Sequence, residues 1–147
     1  AKSMETLAVR MDRHCDNALR IAKYFEGSSE LEAVKYPYLP SHPQHDLAKK
    51  QMKAGGGIIT LSLKGGVSRA QRFIDQLQMI SVTANLGDSR SIITHPASTT
   101  HSKLSVEERA KVGISDGLIR LSVGLEHSDD IIQDVEQALE RSKYGVC

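Results

Sequence analysis

The stretch Leu118-Ile119-Arg120-Leu121-Ser122-Val123 predicts a β-strand with two unlike faces. The aliphatic side chains at its odd-numbered positions alternate to one face, where we expect helices to pack. Arg120 then points to the opposite face, beside Ser122, in the middle of the strand. A buried guanidinium without a partner is costly, so two interpretations are open. Either Arg120 lies on an exposed edge or in an intramolecular ion pair, or its planar fork binds a carboxylate bidentately.

Strands and helices alternate on both sides of this stretch. We predict further strands over residues 31–36, 58–63 and 91–94, and helices over 4–26, 41–52, 68–78, 105–113 and from 128 onward. The fold class is α/β, or α+β: a small, mostly antiparallel sheet of about four strands with helices packed on one face. The other face of the sheet is left free to meet something else.

Three of the predicted helices carry more specific signals. In the helix near residue 105, Ser105 and Glu108 form a capping-box pattern. In the last helix Ser128 is the predicted N-cap, and two aspartates follow it near the positive end of the helix dipole. The first helix has an apolar stripe at three- and four-residue spacing, formed by Leu7, Met11, Cys15, Ala18, Leu19, Ala22 and Phe25.

Length and charge bound the possible functions. The chain has 147 residues, 39% of them apolar, and its 19 Lys+Arg against 18 Asp+Glu give a net charge of +1. That is enough for one domain with a real core, but it offers no basic surface to nucleic acid. No apolar run approaches the roughly 20 residues of a membrane span, and the first residues do not have the pattern of a leader peptide, so we do not expect export. We expect a cytoplasmic protein that binds neither nucleic acid nor membrane, with reduced thiols at Cys15 and Cys147.

The remaining candidate sites are weaker. His42 and His45 could share a helix face, but no Cys or carboxylate pattern completes a ligand set, so no metal is expected. The segment from His95 to His101 is a polar loop before a capped helix, and it is either turn chemistry or a binding loop. Neither glycine cluster continues into the Gly-Lys-Ser/Thr of a phosphate loop. Residue types alone indicate one good anion-binding candidate, Arg120, and no catalytic machinery.

Several motifs, taken in order, resemble the carboxyl-terminal part of the Cys/Met-metabolism enzymes that depend on pyridoxal 5'-phosphate (PLP), the transsulfuration enzymes. Three of them are Asn85-Leu-Gly-Asp88, His95-Pro-Ala-Ser-Thr-Thr-His101 and Leu118-Ile-Arg-Leu-Ser-Val-Gly-Leu-Glu126. The matching stretches cover nearly the whole chain and also include residues 7–18, 34–37, 39–45, 107–109, 113–114 and 129–130.

The resemblance implies the small carboxyl-terminal domain of a fold-type-I PLP-dependent transferase, with its sheet packed beside a large PLP-binding domain. Residues 1–27 would be the interdomain helix that leads into a small domain of residues 28–147. The resemblance also implies that Arg120 binds the α-carboxylate of an amino-acid substrate. Thr100 would lie near this carboxylate through hydrogen bonding, and Asn85 would line the same pocket.

The features that this sequence lacks are also informative. The family's Schiff-base lysine follows a Ser-x-Thr-type motif, and none of the ten lysines here has that context. Motifs for the family's PLP-stacking Tyr and pyridine-nitrogen Asp are missing too. Because PLP chemistry needs that lysine, the resemblance implies that an absent large domain binds PLP. No catalytic residue is then expected in this chain, which alone should be inactive. Its start, Ala1-Lys-Ser-Met4, suggests a piece cut from a longer protein.

The finer resemblance is to the O-succinylhomoserine and O-acetylhomoserine sulfhydrylases. Ala84 precedes Asn85 where cystathionine-cleaving members tend to have Glu, and Arg90 also matches. The implied reaction is γ-replacement in methionine biosynthesis: the O-succinyl or O-acetyl group leaves the γ-carbon of homoserine and sulfide, or a small thiol, adds there, which with sulfide gives homocysteine. The parent would be a homotetramer. The alternatives are a methionine γ-lyase, a cystathionine γ-synthase or lyase, and a stand-alone binding module that keeps the carboxylate pocket without chemistry.

Overall fold

The structure, a computed structural model, describes residues 2–99 and 101–143. Its helices are α1 Lys2–Glu5, α2 Leu7–Phe25, α3 His45–Gln51, α4 Gly66–Asp75, α5 Val106–Lys111 and α6 Ser128–Arg141. Its strands are β1 Leu31–Lys35, β2 Ile58–Leu63, β3 Ser81–Val82, β4 Ile92–Thr94 and β5 Leu118–Ser122. The mixed α/β fold is confirmed. The predictions for Thr100 and Cys147 fall outside the described residues.

The strands of the described residues form one sheet in the order β1-β2-β5-β4-β3. All neighbours pair antiparallel except β3 and β4, which are parallel. The sheet is therefore mostly antiparallel, as predicted, but it has one strand more than predicted. Sequence reasoning missed β3 because a strand of only 2 residues, Ser81–Val82, is too short to show an alternating pattern.

The hydrophobic core lies between one face of the sheet and helices α2, α4 and α6. Ile119 and Leu121 of β5 and Ile59 and Leu61 of β2 are completely buried there, in one cluster with side chains of these helices. Each buried large aliphatic side chain stabilises the fold by about 1.5–3 kcal/mol. The intervening side chains of β2 and β5 point to the opposite face, which we call the helix-free face.

The buried face of α2 differs from the predicted apolar stripe. Leu7 and Met11 are 43% and 42% exposed, whereas His14 and Asn17 are each only 5% exposed. Burial of these two polar side chains is tolerated because both hydrogen-bond to the backbone that follows β5.

Helix α5 begins as predicted and α6 does not. The backbone N–H of Glu108 donates to Ser105 Oγ at 3.2 Å, and that of Ser105 donates to Glu108 Oε2 at 3.3 Å, which completes the capping box. In α6 the N-cap is His127, whose Nδ1 accepts from the backbone N–H of Asp129 at 3.2 Å. Ser128 is already helical and buried, so the predicted cap is wrong by one residue.

Helix α3 begins later than predicted, at His45. The preceding residues form turns, in which His42 N donates to Leu39 O at 2.9 Å and His45 N donates to His42 O at 3.1 Å. No helix in the described ranges is both long and apolar enough to cross a bilayer.

Candidate functional site

Arg120 lies on the helix-free face, in the middle strand of the sheet. In the strand pairing it is opposite Thr60 of β2 on one side and Thr94 of β4 on the other. Its sequence neighbours Ile119 and Leu121 are buried on the helix side, so alternation directs Arg120 away from the core. The exposed-edge interpretation of Arg120 is therefore wrong, because the residue is half-buried in a central strand.

The loop of residues 83–91, called here the 83–91 loop, runs along this face. Arg120 Nη2 donates to the carbonyl oxygen of Ala84 at 3.1 Å. Two residues further along β5, Ser122 Oγ accepts from the backbone N–H of Gly87 at 3.1 Å. Two side chains of one strand thus fasten the loop to the sheet.

Arg120 keeps most of its hydrogen-bonding capacity. A guanidinium carries several N–H donors in a planar fork, and within the described part of the chain only the Ala84 carbonyl accepts from it. None of the ion pairs among the described residues includes Arg120, so the intramolecular ion pair is not found there. Such a half-buried fork can bind a carboxylate bidentately.

Asn85 is one peptide bond away from the contact between Arg120 and Ala84. Its side chain is exposed and hydrogen-bonds to none of the residues that the structure describes. The bonds at Ala84 and at Gly87 hold the backbone on either side of it. The structure thus brings Asn85 close to Arg120, whereas the third predicted residue, Thr100, lies outside the described residues.

The far end of the 83–91 loop has its own ion pair. Arg90 Nη2 lies 3.3 Å from Asp88 Oδ2, and the backbone N–H of Arg90 donates to Asp88 Oδ1 at 2.9 Å. The Arg90 side chain and backbone hold the pKa of the Asp88 carboxyl below its usual value. Both side chains therefore already have partners, and Arg120 remains the better candidate for an external anion.

His95 has a structural role. It is 1% exposed, and its Nε2 lies 2.6 Å from the carbonyl oxygen of Asp116 while its Nδ1 lies 2.8 Å from Ser98 Oγ. Because a carbonyl only accepts, Nε2 is the donor, and Nδ1 accepts from the Ser98 hydroxyl. Both ring nitrogens are used within the fold, so turn chemistry is the correct interpretation of His95.

Two polar residues of α2 bind the segment that follows β5. His14 Nδ1 donates to Val123 O at 2.6 Å, and Asn17 Nδ2 donates to Gly124 O at 3.0 Å and to Glu126 O at 2.8 Å. Sequence reasoning assigned no role to these residues. The available signal was two polar residues at helical spacing, next to the apolar stripe of a long helix.

An apolar surface lies beside the candidate site. A cavity of about 300 Å³ opens between α2 and the helix-free face, and Leu7, Met11, Leu86 and Ser122 are among the residues that line it. Of its apolar lining side chains, Leu7, Met11 and Leu86 are 43%, 42% and 56% exposed. A cluster of exposed apolar side chains is typical of a surface that packs against more protein.

The histidines and acidic residues do not form a metal centre in the part of the chain that is described. No group of three or more His, Cys, Asp or Glu side chains in residues 2–99 and 101–143 could hold a metal ion. His42 Nδ1 instead accepts from the backbone N–H of Gln44 at 3.0 Å, and His45 Nδ1 lies 3.3 Å from Pro37 O.

The lysines of this chain do not fit covalent attachment of PLP. All ten are exposed, whereas a lysine that reacts with a carbonyl cofactor is activated by a desolvated or cationic environment that lowers its pKa. Lys143 has the opposite environment, because the carboxylates of Glu140 and Glu30 raise its pKa. The residues present therefore supply no attachment site for the cofactor.

Known proteins share this sequence at high identity. The chain is 49% identical over 141 residues to an L-methionine γ-lyase of Pseudomonas putida, which covers 96% of the chain and 35% of that protein. It is 47% identical over 138 residues to an O-succinylhomoserine sulfhydrylase of Pseudomonas aeruginosa, covering 94% of the chain and 34% of that protein. The chain thus spans about a third of the length of these relatives.

A solved structure shares the fold. It is a crystal structure of a Campylobacter jejuni protein assigned as an O-acetylhomoserine (thiol)-lyase, with a TM-score of 0.88 and 45% identity, covering 95% of this chain and 33% of that one. That protein holds N'-pyridoxyl-lysine-5'-monophosphate, and its fold is of type I among PLP enzymes. A sequence profile of the Cys/Met metabolism PLP-dependent enzymes matches residues 1–140. The chain therefore belongs to the Cys/Met metabolism family of PLP-dependent enzymes.

Proposed function

We propose that this chain is the substrate-carboxylate-binding domain of a PLP-dependent O-acylhomoserine sulfhydrylase. The observation that carries the proposal is the half-buried fork of Arg120 on the helix-free face, with most of its donors unused by the described residues and Asn85 beside it. Arg72 of α4 is also partly buried with one hydrogen bond, to the carbonyl oxygen of Ser142, but it lies on a helix, whereas Arg120 lies on the helix-free face beside Asn85. Family membership supports an amino acid as the ligand.

The proposal includes a domain organisation. Residues 1–27 are the interdomain helix and residues 28–147 form the small domain, while PLP is bound by a large domain outside this chain. Three observations support this division: the relatives are about three times as long, the lysines here are all exposed, and exposed apolar side chains surround the cavity beside α2. The large domain would cover that cavity.

The reaction that we propose is γ-replacement, in which sulfide replaces the acyloxy group at the γ-carbon of an O-acylhomoserine, so that homocysteine is formed and succinate or acetate is released. PLP, when bound, supplies the electron sink for such chemistry at an amino acid. Arg120 would bind the α-carboxylate and thereby orient the α-proton, which is a positioning role. Thr100 would hydrogen-bond near the same carboxylate, and Asn85 would line its pocket. We further propose that the parent enzyme is a cytoplasmic homotetramer of methionine biosynthesis.

A methionine γ-lyase is the second candidate. It is favoured by the identities of 49% and 50% to two Pseudomonas L-methionine γ-lyases, which are close to the 47% shared with the sulfhydrylase. Both activities require an α-carboxylate site, so the role of Arg120 is common to them.

An assay of the full-length, PLP-loaded protein that contains this chain separates these functions. A sulfhydrylase forms homocysteine from O-succinylhomoserine or O-acetylhomoserine when sulfide is present. A lyase releases methanethiol from L-methionine without any added thiol. Homocysteine formation as the faster reaction is the expected result, and faster methanethiol release would assign the lyase instead. Turnover of neither substrate would contradict both functions.

The isolated 147-residue chain is expected to take up no PLP in a specific covalent adduct. Its lysines are exposed, so we expect only weak and scattered labelling when the chain is mixed with PLP and reduced with borohydride. Peptide mapping measures this, with the full-length protein as the positive control in which a single lysine is labelled. A stoichiometric adduct on one lysine of the isolated chain would show that it has its own cofactor site.

A further inference from the structure

We propose that Ser122 and Glu126 are positioning residues for substrate-carboxylate recognition, an inference that rests on the proposed function of Arg120. Neither side chain needs to touch the substrate. Each holds the 83–91 loop against the helix-free face, and this loop provides the carbonyl that orients Arg120 and carries Asn85.

Glu126 anchors the far end of the loop at Ser91. Its carboxylate accepts from the backbone N–H of Ser91, at 2.9 Å from Oε2 and 3.2 Å from Oε1, and from Ser91 Oγ at 3.0 Å. Ser91 is 1% exposed, and its hydroxyl oxygen also accepts from the backbone N–H of Gly124 at 2.9 Å. The carboxylate thus joins the end of the loop to the segment that follows β5.

Glu126 is itself held from the other side. Its carbonyl oxygen accepts from Asn17 Nδ2 at 2.8 Å, and Asn17 also binds the carbonyl of Gly124. These contacts run from the buried face of α2 through the segment after β5 to the loop. The bonds from Asn17 are neutral, whereas those from Ser91 to the Glu126 carboxylate are charge-assisted and therefore stronger.

Gly124 makes this close approach possible. A Cβ at this position would collide with Glu126 Oε1, with the backbone N of Ser91 and with the carbonyl carbon of Arg90. The absence of a side chain therefore lets the end of the loop and the carboxylate meet. The atoms of Glu126, Ser91 and Arg90 that position the loop occupy the space that a side chain at residue 124 would need.

Ser122 fixes the middle of the loop. It is 3% exposed, and its Oγ accepts from the backbone N–H of Gly87 at 3.1 Å. Because Arg120 and Ser122 are two residues apart on one strand, they face the same side. The bonds at Ala84 and at Gly87 therefore fix the backbone of residues 84–87 in one position relative to the guanidinium of Arg120. A shift of this stretch moves the Ala84 carbonyl and redirects the fork.

The test compares two ligands that differ only in the carboxylate. Calorimetry of the full-length, PLP-loaded enzyme gives Kd for L-norleucine and for n-pentylamine, the same chain without its carboxylate. We expect Glu126→Gln and Ser122→Ala each to weaken L-norleucine binding by about tenfold, the scale of one lost hydrogen bond. Binding of n-pentylamine should stay unchanged. Glu32→Gln, at an exposed position of β1, is the matched control and should alter neither.

The outcomes separate the carboxylate site at Arg120 from the positioning role of Ser122 and Glu126. If the unaltered enzyme binds both ligands equally, the carboxylate site itself is wrong. If it prefers L-norleucine but Ser122→Ala and Glu126→Gln keep that preference, or lose affinity for both ligands alike, the positioning role is overturned. Where Glu126→Gln does not fold, Ser122→Ala decides alone, because it removes one acceptor and no charge.

Discussion

Replacing Arg120 by lysine in the full-length enzyme is expected to lower kcat/KM for the amino-acid substrate by roughly 100-fold or more. Lysine keeps the positive charge, but a single ammonium cannot form two parallel hydrogen bonds to one carboxylate. The substitution also removes the bond from Nη2 to the Ala84 carbonyl. Because the carboxylate contact places the reacting carbon, a misplaced substrate reacts slowly even when it binds. We therefore expect KM to rise and kcat to fall together.

Steady-state kinetics with the preferred substrate measures this effect, and thermal melting shows that the variant is folded. Arg141→Lys is a suitable control, since Arg141 is exposed in the last turn of α6 and should leave kcat/KM unchanged. An Arg120→Lys enzyme with the kcat/KM of the unaltered protein would rule out the carboxylate assignment. A variant with a lower melting temperature but an unchanged kcat/KM would also rule out this assignment.

The placement of Arg120 is the part of the site that sequence reasoning predicts best. Its prediction needs only the alternation of β5, which requires that Ile119 and Leu121 face one way and Arg120 the other. The structure has this arrangement. Periodicity does not tell a central strand from an edge strand, so whether Arg120 lies at the edge had to come from the strand order.

The surroundings of Arg120 are much less predictable. The 83–91 loop has no periodicity, and its position depends on hydrogen bonds from Ser122 and Glu126, each 35 residues away from its partner in sequence. The same holds for His14 and Asn17, whose backbone partners lie more than 100 residues along the chain. Prediction from the local sequence assigns polar residues to the surface, because most of them are exposed in folded proteins. Only the tertiary fold shows that these are buried and satisfied.

The largest loss of stability is expected on replacing Asp134, a buried carboxylate of α6. Its side chain is 6% exposed, and it accepts from the backbone N–H groups of Gln78, Met79 and Ile80 at 2.8, 2.9 and 2.9 Å. It thus ties α6 to the segment between α4 and β3. Asp134→Ala leaves these donors without their acceptor, and we expect the free energy of unfolding to fall by about 3 kcal/mol.

This contribution depends on pH in a defined direction. Burial favours the neutral acid and is the largest single influence on Asp134, but the backbone N–H groups of Gln78, Ile80 and Met79 and the amide of Gln137 together outweigh it and lower the pKa. A carboxyl group whose pKa is lower in the folded than in the unfolded state stabilises the fold fully at pH values above its unfolded-state pKa. That contribution is lost as the pH falls through the folded pKa. Acid should therefore destabilise the unaltered chain more than the Asp134→Ala variant.

Urea denaturation of the 147-residue chain at neutral pH and below about pH 3 measures both effects. Asp130→Ala is the matched control in the first turn of the same helix, where an exposed carboxylate stabilises by less than about 1 kcal/mol through the helix dipole. The role of the charged oxygens would be contradicted if Asp134→Ala lowered the free energy of unfolding by no more than the control does. It would also be contradicted if the decrease were the same at both pH values. Hydrogen bonds that require the ionised carboxylate must weaken when it is protonated, so the difference between the two proteins should shrink in acid.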